Sequence, residues 1–487
     1  MFIDKAKFTD KESVDVIITT VPWTESSIPL MAPAVLKPIV EKAGFSCLAI
    51  DLNAEICHNL KKENNIDDYI TFFFDEKCAN LEVQSHIQTM LVSSATFMTS
   101  MNPKFIGISV FSYVNRVWTS WLCYFIKKIN PNIKIIIGGA GCLEQFTGPA
   151  YFADELLAAG LADYHIRGDG ENALYELLTG NVTYTGINDT TWTQLDNAQL
   201  SKLPMPDYSD YNFNVYEKKA LCLQGSRGCV RSCKFCDYIE NWSKFQWRTA
   251  DDIFNEMQTQ YKKHQIRTFK FQDTLTNGNL KEFDRLVDLL ADYNSKNPDV
   301  AFRWGGYYIF RDRTLSDNQR WQKLKQSGAD MLIVGIESLD EQIRYDIGKK
   351  FSNASIDYHL DRALEYNIRI QLLFITGYVT ETQQHIDYRK HWLENHVMYQ
   401  PIIYSIQWGG GLGIFPNTYL HRNKEQLGIQ MIGAQPHLWI NSATGSNPRQ
   451  RAQWVNELND YSEKLGYVVE KDVDNHYLLE RSLNVAS

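Results

Sequence analysis

The chain has 487 residues, 44% hydrophobic and 22% charged, the make-up of an ordinary globular protein with length for about three domains, or two if one is a barrel. Its formal charge of −9 weighs against broad nucleic-acid binding, and no apolar run reaches the ~18 residues of a membrane-spanning helix. Nine cysteines, irregularly spaced outside one short run, and an N-terminus (Met-Phe-Ile-Asp-Lys-Ala-Lys) without a signal peptide's apolar core predict reduced thiols and a cytoplasmic location.

The first 200 residues alternate apolar strands with helical segments. Strands are predicted at Val14–Thr20, Cys47–Asp51, Phe105–Phe111, Ile133–Ile137 and Tyr164–Ile166, and helices at Ala32–Ala43, Arg116–Ile129 and about Asn172–Leu178. That alternation argues for a doubly wound, Rossmann-like parallel sheet. Ligands of such sheets sit at the carboxyl ends of the strands, and Gly138, Gly139 and Gly141 lie at such an end. Glycines there let backbone approach a ligand closely, or simply make a tight strand-to-helix turn. The stretch of about 53–102 breaks the pattern and reads as a helical insertion. A proline-bearing connector, Leu203-Pro204-Met205-Pro206-Asp207-Tyr208, follows.

Next comes Ser-Arg-Gly-Cys229-Val-Arg-Ser-Cys233-Lys-Phe235-Cys236-Asp-Tyr. Thiolates are soft ligands suited to zinc or iron–sulfur clusters, and a full cluster site normally supplies four of them. Three on one tight loop leave one iron of a four-iron cluster open to a substrate or cofactor. Zinc sites with three cysteines take a histidine as fourth ligand, and the nearest here are His165 and His264, both outside the loop.

From Leu221 strands and helices alternate again. The strands are predicted at Leu221–Gln224, Thr268–Gln272, Phe302–Ile309, Met331–Ile336, Ile368–Ile375 and Ile402–Ile406. In parallel barrels the reactive residues stand at the carboxyl ends of strands. There lie Gln272-Asp273-Thr274, Arg311, Glu337-Ser338, Thr376-Gly377-Tyr378-Val379 and Pro416-Asn417-Thr418. Asp and Thr also cap helices, so Asp273 has a plainer reading as an N-cap. Beyond about Lys424, an aromatic-rich tail with Trp439, Trp454, Tyr461, Tyr467 and Tyr477 and a helix near Gln450–Lys464 close the chain, with aromatics suited to core packing or a pocket lining.

C-x3-C-x2-C with Phe235 before the last cysteine resembles the cluster loop of the radical S-adenosylmethionine (SAM) superfamily. The resemblance implies a partial (β/α)6 barrel holding a [4Fe-4S] cluster on Cys229, Cys233 and Cys236. SAM would chelate the open iron and be cleaved to a 5′-deoxyadenosyl radical. Gln272 and Asp273 resemble the patch that holds the SAM amine, and Gly335-Ile336-Glu337-Ser338 the motif near its ribose and methionine. Arg311 matches an arginine that pairs with a carboxylate, of SAM or of Glu337, and Gly377 a loop approaching adenine. In that loop Val379 replaces the usual proline, and in the later turn Asn417 replaces glycine.

The N-terminal pieces, with Gly138-Gly139 and Gly168-Asp169-Gly170-Glu171, resemble the cobalamin (B12)-binding domain that precedes many radical SAM domains. The chain lacks the Asp-x-His-x-x-Gly signature, which leaves a lower cobalt ligand undefined. The organisation expected is 1–200 cobalamin-binding-like domain, 201–215 linker, 216–420 radical SAM barrel and 421–487 a small α-rich C-terminal region closing it.

The function implied is cobalamin-dependent methylation of an unactivated carbon. The alternatives are a rearrangement, cyclisation or oxidation without methyl transfer, or a non-catalytic iron–sulfur or zinc protein. Methylthiolation of transfer RNA fits poorly, because Cys47, Cys57 and Cys78 lack the spacing for a second cluster. Expected partners are a small-molecule or peptide substrate and an electron donor such as flavodoxin or ferredoxin, with no membrane and no nucleic acid.

Overall fold

The computed structural model describes residues 13–62, 69, 81–143, 151–181, 194–238, 242, 244–312, 318–432 and 436–471. Cys78 and Tyr477 lie outside them. The chain divides into two units, Met1–Cys222 and Leu223–Ser487.

In the first unit β-branched runs make the strands. β1 (Val16–Thr20), β2 (Cys47–Ile50), β3 (Phe105–Ser109), β4 (Lys134–Gly138) and β5 (Tyr164–Ile166) form a five-stranded parallel sheet in the order β2-β1-β3-β4-β5. Period-two alternation splits each strand between two cores. Ile17, Ile106 and Ile135 face one layer with helices Leu81–Ser100 and Arg116–Ile129, and Val16, Ile18 and Ile136 face another with helices Met31–Lys42 and Gly170–Leu178. The sheet is therefore doubly wound, as the alternation predicted. Its strand order reverses between β1 and β3, the switch point at which such sheets take ligands.

A buried asparagine ties the loops there. Asn115 Oδ1 accepts from the backbone N–H groups of Phe111 and Ser112 at 3.0 and 2.9 Å, and its Nδ2 donates to Val21 O and Trp23 O at 3.0 and 3.3 Å. With Asn115 fully buried, Asn115→Ala leaves four backbone groups without their partner. The expected cost is about 3 kcal/mol, read as a lower urea midpoint at unchanged slope.

The second unit is built on six strands. β6 (Ala220–Leu223), within which the chain passes between the units, leads through the short hairpin of β7 (Ser226–Arg227) and β8 (Gln246–Trp247) to β9 (Thr268–Phe271), β10 (Arg303–Tyr307), β11 (Ala329–Glu337), β12 (Arg369–Phe374) and β13 (Ile403–Gln407). The sheet order is β13-β12-β11-β10-β9-β6, sequential, with parallel pairing from β9 to β13 and helices between strands. That is the partial (β/α)6 barrel. A small antiparallel pair, β14 (Ile429–Met431) and β15 (Trp439–Asn441), and the helix Pro448–Lys464 follow.

The barrel wall has two unlike faces. Phe269, Phe271, Trp304, Val334, Ile336, Leu372, Phe374 and Ile406 are buried, and rings from the helices meet them, as Phe283 meets Trp304 edge-on. By alternation the other face carries Gln272, Tyr307, Ile333, Gln371 and Ser405. Helix ends are capped by their own sequence. Thr249 and Asn279 accept the first-turn N–H groups of helices Ala250–His264 and Leu280–Lys296. Among the described residues no helix is long and apolar enough to cross a membrane.

Candidate active site

The cysteine loop hangs from the β7–β8 hairpin and is held by segments that follow the other strands. Gly228 takes a left-handed φ of +80°, and a Cβ there would meet Lys244 O at 2.3 Å, so only glycine allows this crossing. Thr274 Oγ1, just past β9, donates to Gly228 O at 2.6 Å. The Lys234 N–H donates to Ile347 O, after β11, and Leu420 N–H, after β13, donates to Lys234 O, at 2.9 and 3.1 Å. Asp346 receives both Lys234 Nζ and the Tyr378 hydroxyl, at 2.5 and 2.7 Å. Phe235 packs with Cys233, Cys236, Ile347 and Tyr378 in one apolar cluster. Four strand-end segments far apart in sequence thus meet at the three thiols.

The thiols fit an iron–sulfur group. The Arg231 N–H donates to Cys229 Sγ at 3.4 Å, the kind of bond that stabilises a ligating sulfur. Burial pushes the free thiols of Cys233 and Cys236 up to about 11 and 12, and a coordinating metal would supply the positive charge that ionises them. Among the described residues no three His, Cys, Asp or Glu groups gather as a single metal ion requires. In a cubane each cysteine binds a different iron, so the three sulfurs need not converge on one point.

Glu337 ends β11 with a left-handed φ of +65°, at a β-bulge opposite β12. The bulge re-aims its carboxylate, and Oε1 lies 3.0 Å from Lys349 Nζ. Burial opposes charge on Lys349, but Glu337 and then Cys233 outweigh it and hold the amine's pKa above its usual value. Lys349 was not singled out from the sequence. It follows the αL residue Gly348 that caps helix Glu341–Ile347, and only the return of the chain there brings it to Glu337. Ser338 is buried, its Oγ accepting from Asp340 N–H at 3.2 Å and its carbonyl from Arg344.

Asp273 points away from the inner face. Its Oδ1 accepts Gly225 N–H at 2.7 Å and its Oδ2 the Ser226 hydroxyl at 2.9 Å, which pins the stem of the cysteine loop. It caps no helix, since the next one starts at Leu280 behind Asn279. Gln272, exposed, is the member of the pair on the inner face. Arg311 donates from Nη2 to Asn277 O at 3.0 Å, while Glu337 goes to Lys349. Gly377 has φ +82°, and a Cβ on it would strike the stem of Arg451 at 2.2 Å. In the first unit a Cβ on Gly139 would strike Val110 O at 2.3 Å, and one on Gly138 would stand 3.3 Å from Ile166 O. The glycine at 139 is thus required by backbone crossing backbone.

Burial raises Asp273 to about 6, against the Gly225 and Ser226 hydrogen bonds that favour its charge. Its folded pKa then lies above the unfolded value, so the ionised carboxylate is a cost above pH 6 that is relieved as pH falls to about 4. Stability of the unaltered protein relative to Asp273→Asn is expected to rise by about 2 kcal/mol between pH 7 and pH 4, measured by denaturant melts.

Residues 223–393 match the family model of the Radical SAM superfamily, so this stretch is a radical SAM domain. The class is one of enzymes, and the domain implies a [4Fe-4S] cluster and SAM. Over 275 residues the chain is 22% identical to the anaerobic magnesium-protoporphyrin IX monomethyl ester cyclase of Synechocystis, covering 53% of this chain and 52% of that protein. It thus spans about half the length of that relative. It is 21% identical to the cytidylyl-2-hydroxyethylphosphonate methyltransferase of Streptomyces wedmorensis, covering 70% of this chain and 67% of that one. In fold it is similar to TsrM of Kitasatospora setae, a radical SAM methyltransferase solved with tryptophan substrate and a SAM analog. The TM-score is 0.66 at 14% identity over 94% of this chain and 92% of that one.

Proposed function

We propose that the protein is a radical SAM enzyme in which Cys229, Cys233 and Cys236 hold the cluster. The carrying observation is that Thr274, Ile347, Tyr378 and Leu420, from the segments that follow β9, β11, β12 and β13, all close on the loop bearing those thiols. With SAM bound, the cluster would supply the electron for reductive cleavage of SAM to a 5′-deoxyadenosyl radical. The Lys349–Glu337 pair would offer the ammonium's remaining N–H to the SAM carboxylate and the carboxylate's second oxygen to a ribose hydroxyl. Gln272 presents an amide on the inner face.

The reaction favoured is methylation of an unactivated carbon with cobalamin in the first unit. A TsrM structure contains cobalamin and a [4Fe-4S] cluster, and TsrM and the Streptomyces relative are methyltransferases. Bound there, cobalamin would supply the methyl group. At the β1/β3 switch point Phe111 follows β3 with its ring 68% exposed, a surface suited to a flat macrocycle. His165 lies on β5, two strands from β3, and is not offered at that crevice. The second reading, cyclisation without methyl transfer, draws on the cyclase relatives.

Anaerobically reconstituted protein given SAM and a strong reductant is expected to release 5′-deoxyadenosine; none would overturn the radical reading. Protein from cobalamin-fed cells is expected to show a corrin absorption band and, on turnover, S-adenosylhomocysteine. Neither would favour cyclisation.

A further inference from the structure

The inner face of the barrel carries at one level a layer that is polar except at Ile333. Tyr307 pairs in register with Ile333, Ile333 with Gln371, and Gln371 with Ser405. Gln272, the residue just past β9, which pairs with β10, adds an amide to the same face. Past the helix Pro448–Lys464 the chain returns along β13, where Val469 bridges Ile406 in parallel and the Glu470 N–H donates to Ile406 O at 2.9 Å. This return lays Glu470 over the layer. Gln371 Nε2 and Ser405 Oγ both donate to Glu470 Oε2, the serine at 3.2 Å.

Both bonds go to one oxygen. Oε1 has no partner among the described residues, and no basic side chain there pairs with Glu470. A carboxylate held on one oxygen by neutral donors, with the other exposed, is preorganised for an incoming donor. Tyr307 stands in the same field. Burial, then Glu470 and Glu337, raise its phenol pKa, yet the side chain is 40% exposed and so borders open space. Lys349 already answers Glu337, so the unanswered negative charge on this wall is that of Glu470.

We infer that Gln272, Tyr307, Gln371, Ser405 and Glu470 form the substrate-recognition wall, and that Glu470 takes a cationic nitrogen of the substrate. The term substrate rests on the proposed activity; cation binding at the wall does not.

The test uses the full-length reconstituted protein and two probes of equal shape, n-butylammonium and 1-butanol, titrated by saturation-transfer NMR. The unaltered protein is expected to bind the ammonium about tenfold more tightly than the alcohol. Glu470→Gln keeps an acceptor for Gln371 and Ser405 and is expected to erase that preference without changing the alcohol's affinity. Glu470→Asp, which keeps the charge, is expected to retain part of it. Equal affinity for the two probes in the unaltered protein, or a preference that survives in Glu470→Gln, overturns the inference. Neither measurement needs SAM cleavage, so a failed deoxyadenosine assay and a failed wall are told apart.

Discussion

Cys233→Ala is expected to purify without the brown iron–sulfur chromophore and to release 5′-deoxyadenosine no faster than a protein-free control. A cubane held by three thiolates loses one of its three anchors with Cys233, and the acids nearest the loop are engaged elsewhere, Asp346 with Lys234 and Tyr378 and Glu337 with Lys349. The fold should survive. Cys233 is small, and the loop's hydrogen bonds to Ile347, Thr274 and Leu420 do not use its sulfur. The expected thermodynamic cost is about 1 kcal/mol. Cys123→Ala, at a buried thiol in helix Arg116–Ile129, is the control and should keep both chromophore and turnover. A full complement of iron in Cys233→Ala would overturn the assignment of that residue.

Glu381→Ala is expected to lose the most stability of any single change on the barrel, about 3–5 kcal/mol, with a matching drop in urea midpoint. Glu381 is fully buried and paired with Arg389, which is 1% exposed. Removing the acid strands a guanidinium that burial already holds below its usual pKa. Arg389 would keep bonds to Ile375 O and Thr376 Oγ1 and its place over Phe374 and Trp408, but those are neutral partners. Glu381 Oε2 also accepts Gly377 N–H at 2.5 Å, so the loop after β12 should loosen with it. The double variant Glu381→Leu with Arg389→Met is expected to recover most of the loss, since neither charge then remains buried. A single Glu381→Ala with an unchanged midpoint would show that water reaches the pair.

This pair also explains a departure visible in the sequence. Val379 stands where the resembling loop has proline, which removes one source of stiffness. The stiffness comes instead from Glu381 under Gly377, from the Arg451 stem against Gly377, and from Asn441 Nδ2 donating to Val379 O at 3.1 Å. Asn417 likewise takes the left-handed φ of +68° that glycine usually supplies.

The strands were legible because β-branched runs in a two-faced wall leave a local pattern. Tyr164–Ile166 was placed to the residue, and Cys47–Asp51 differs from the observed strand only at its last position. Lys349 and Glu470 were not legible. Each acquires its partner by a chain reversal, one after a glycine cap and one after the last helix, and no periodicity encodes where a reversed chain lands. Asp273 shows a subtler gap. Its neighbourhood in sequence is the polar end of β9, but a one-residue change of face decides whether a side chain meets the inner surface or the loop stem. Gln272 meets the first and Asp273 the second.

The cysteine loop is fastened by hairpin stem, backbone bonds and a glycine crossing, none of which involves sulfur. A small zinc module is shaped by its metal and is unfolded without it. Here the loop is held to the barrel by contacts that need no metal, so the barrel is expected to keep its fold when the inorganic core is lost. Iron stripped by air is then expected to leave the far-ultraviolet circular dichroism unchanged, and fresh iron and sulfide to restore the chromophore.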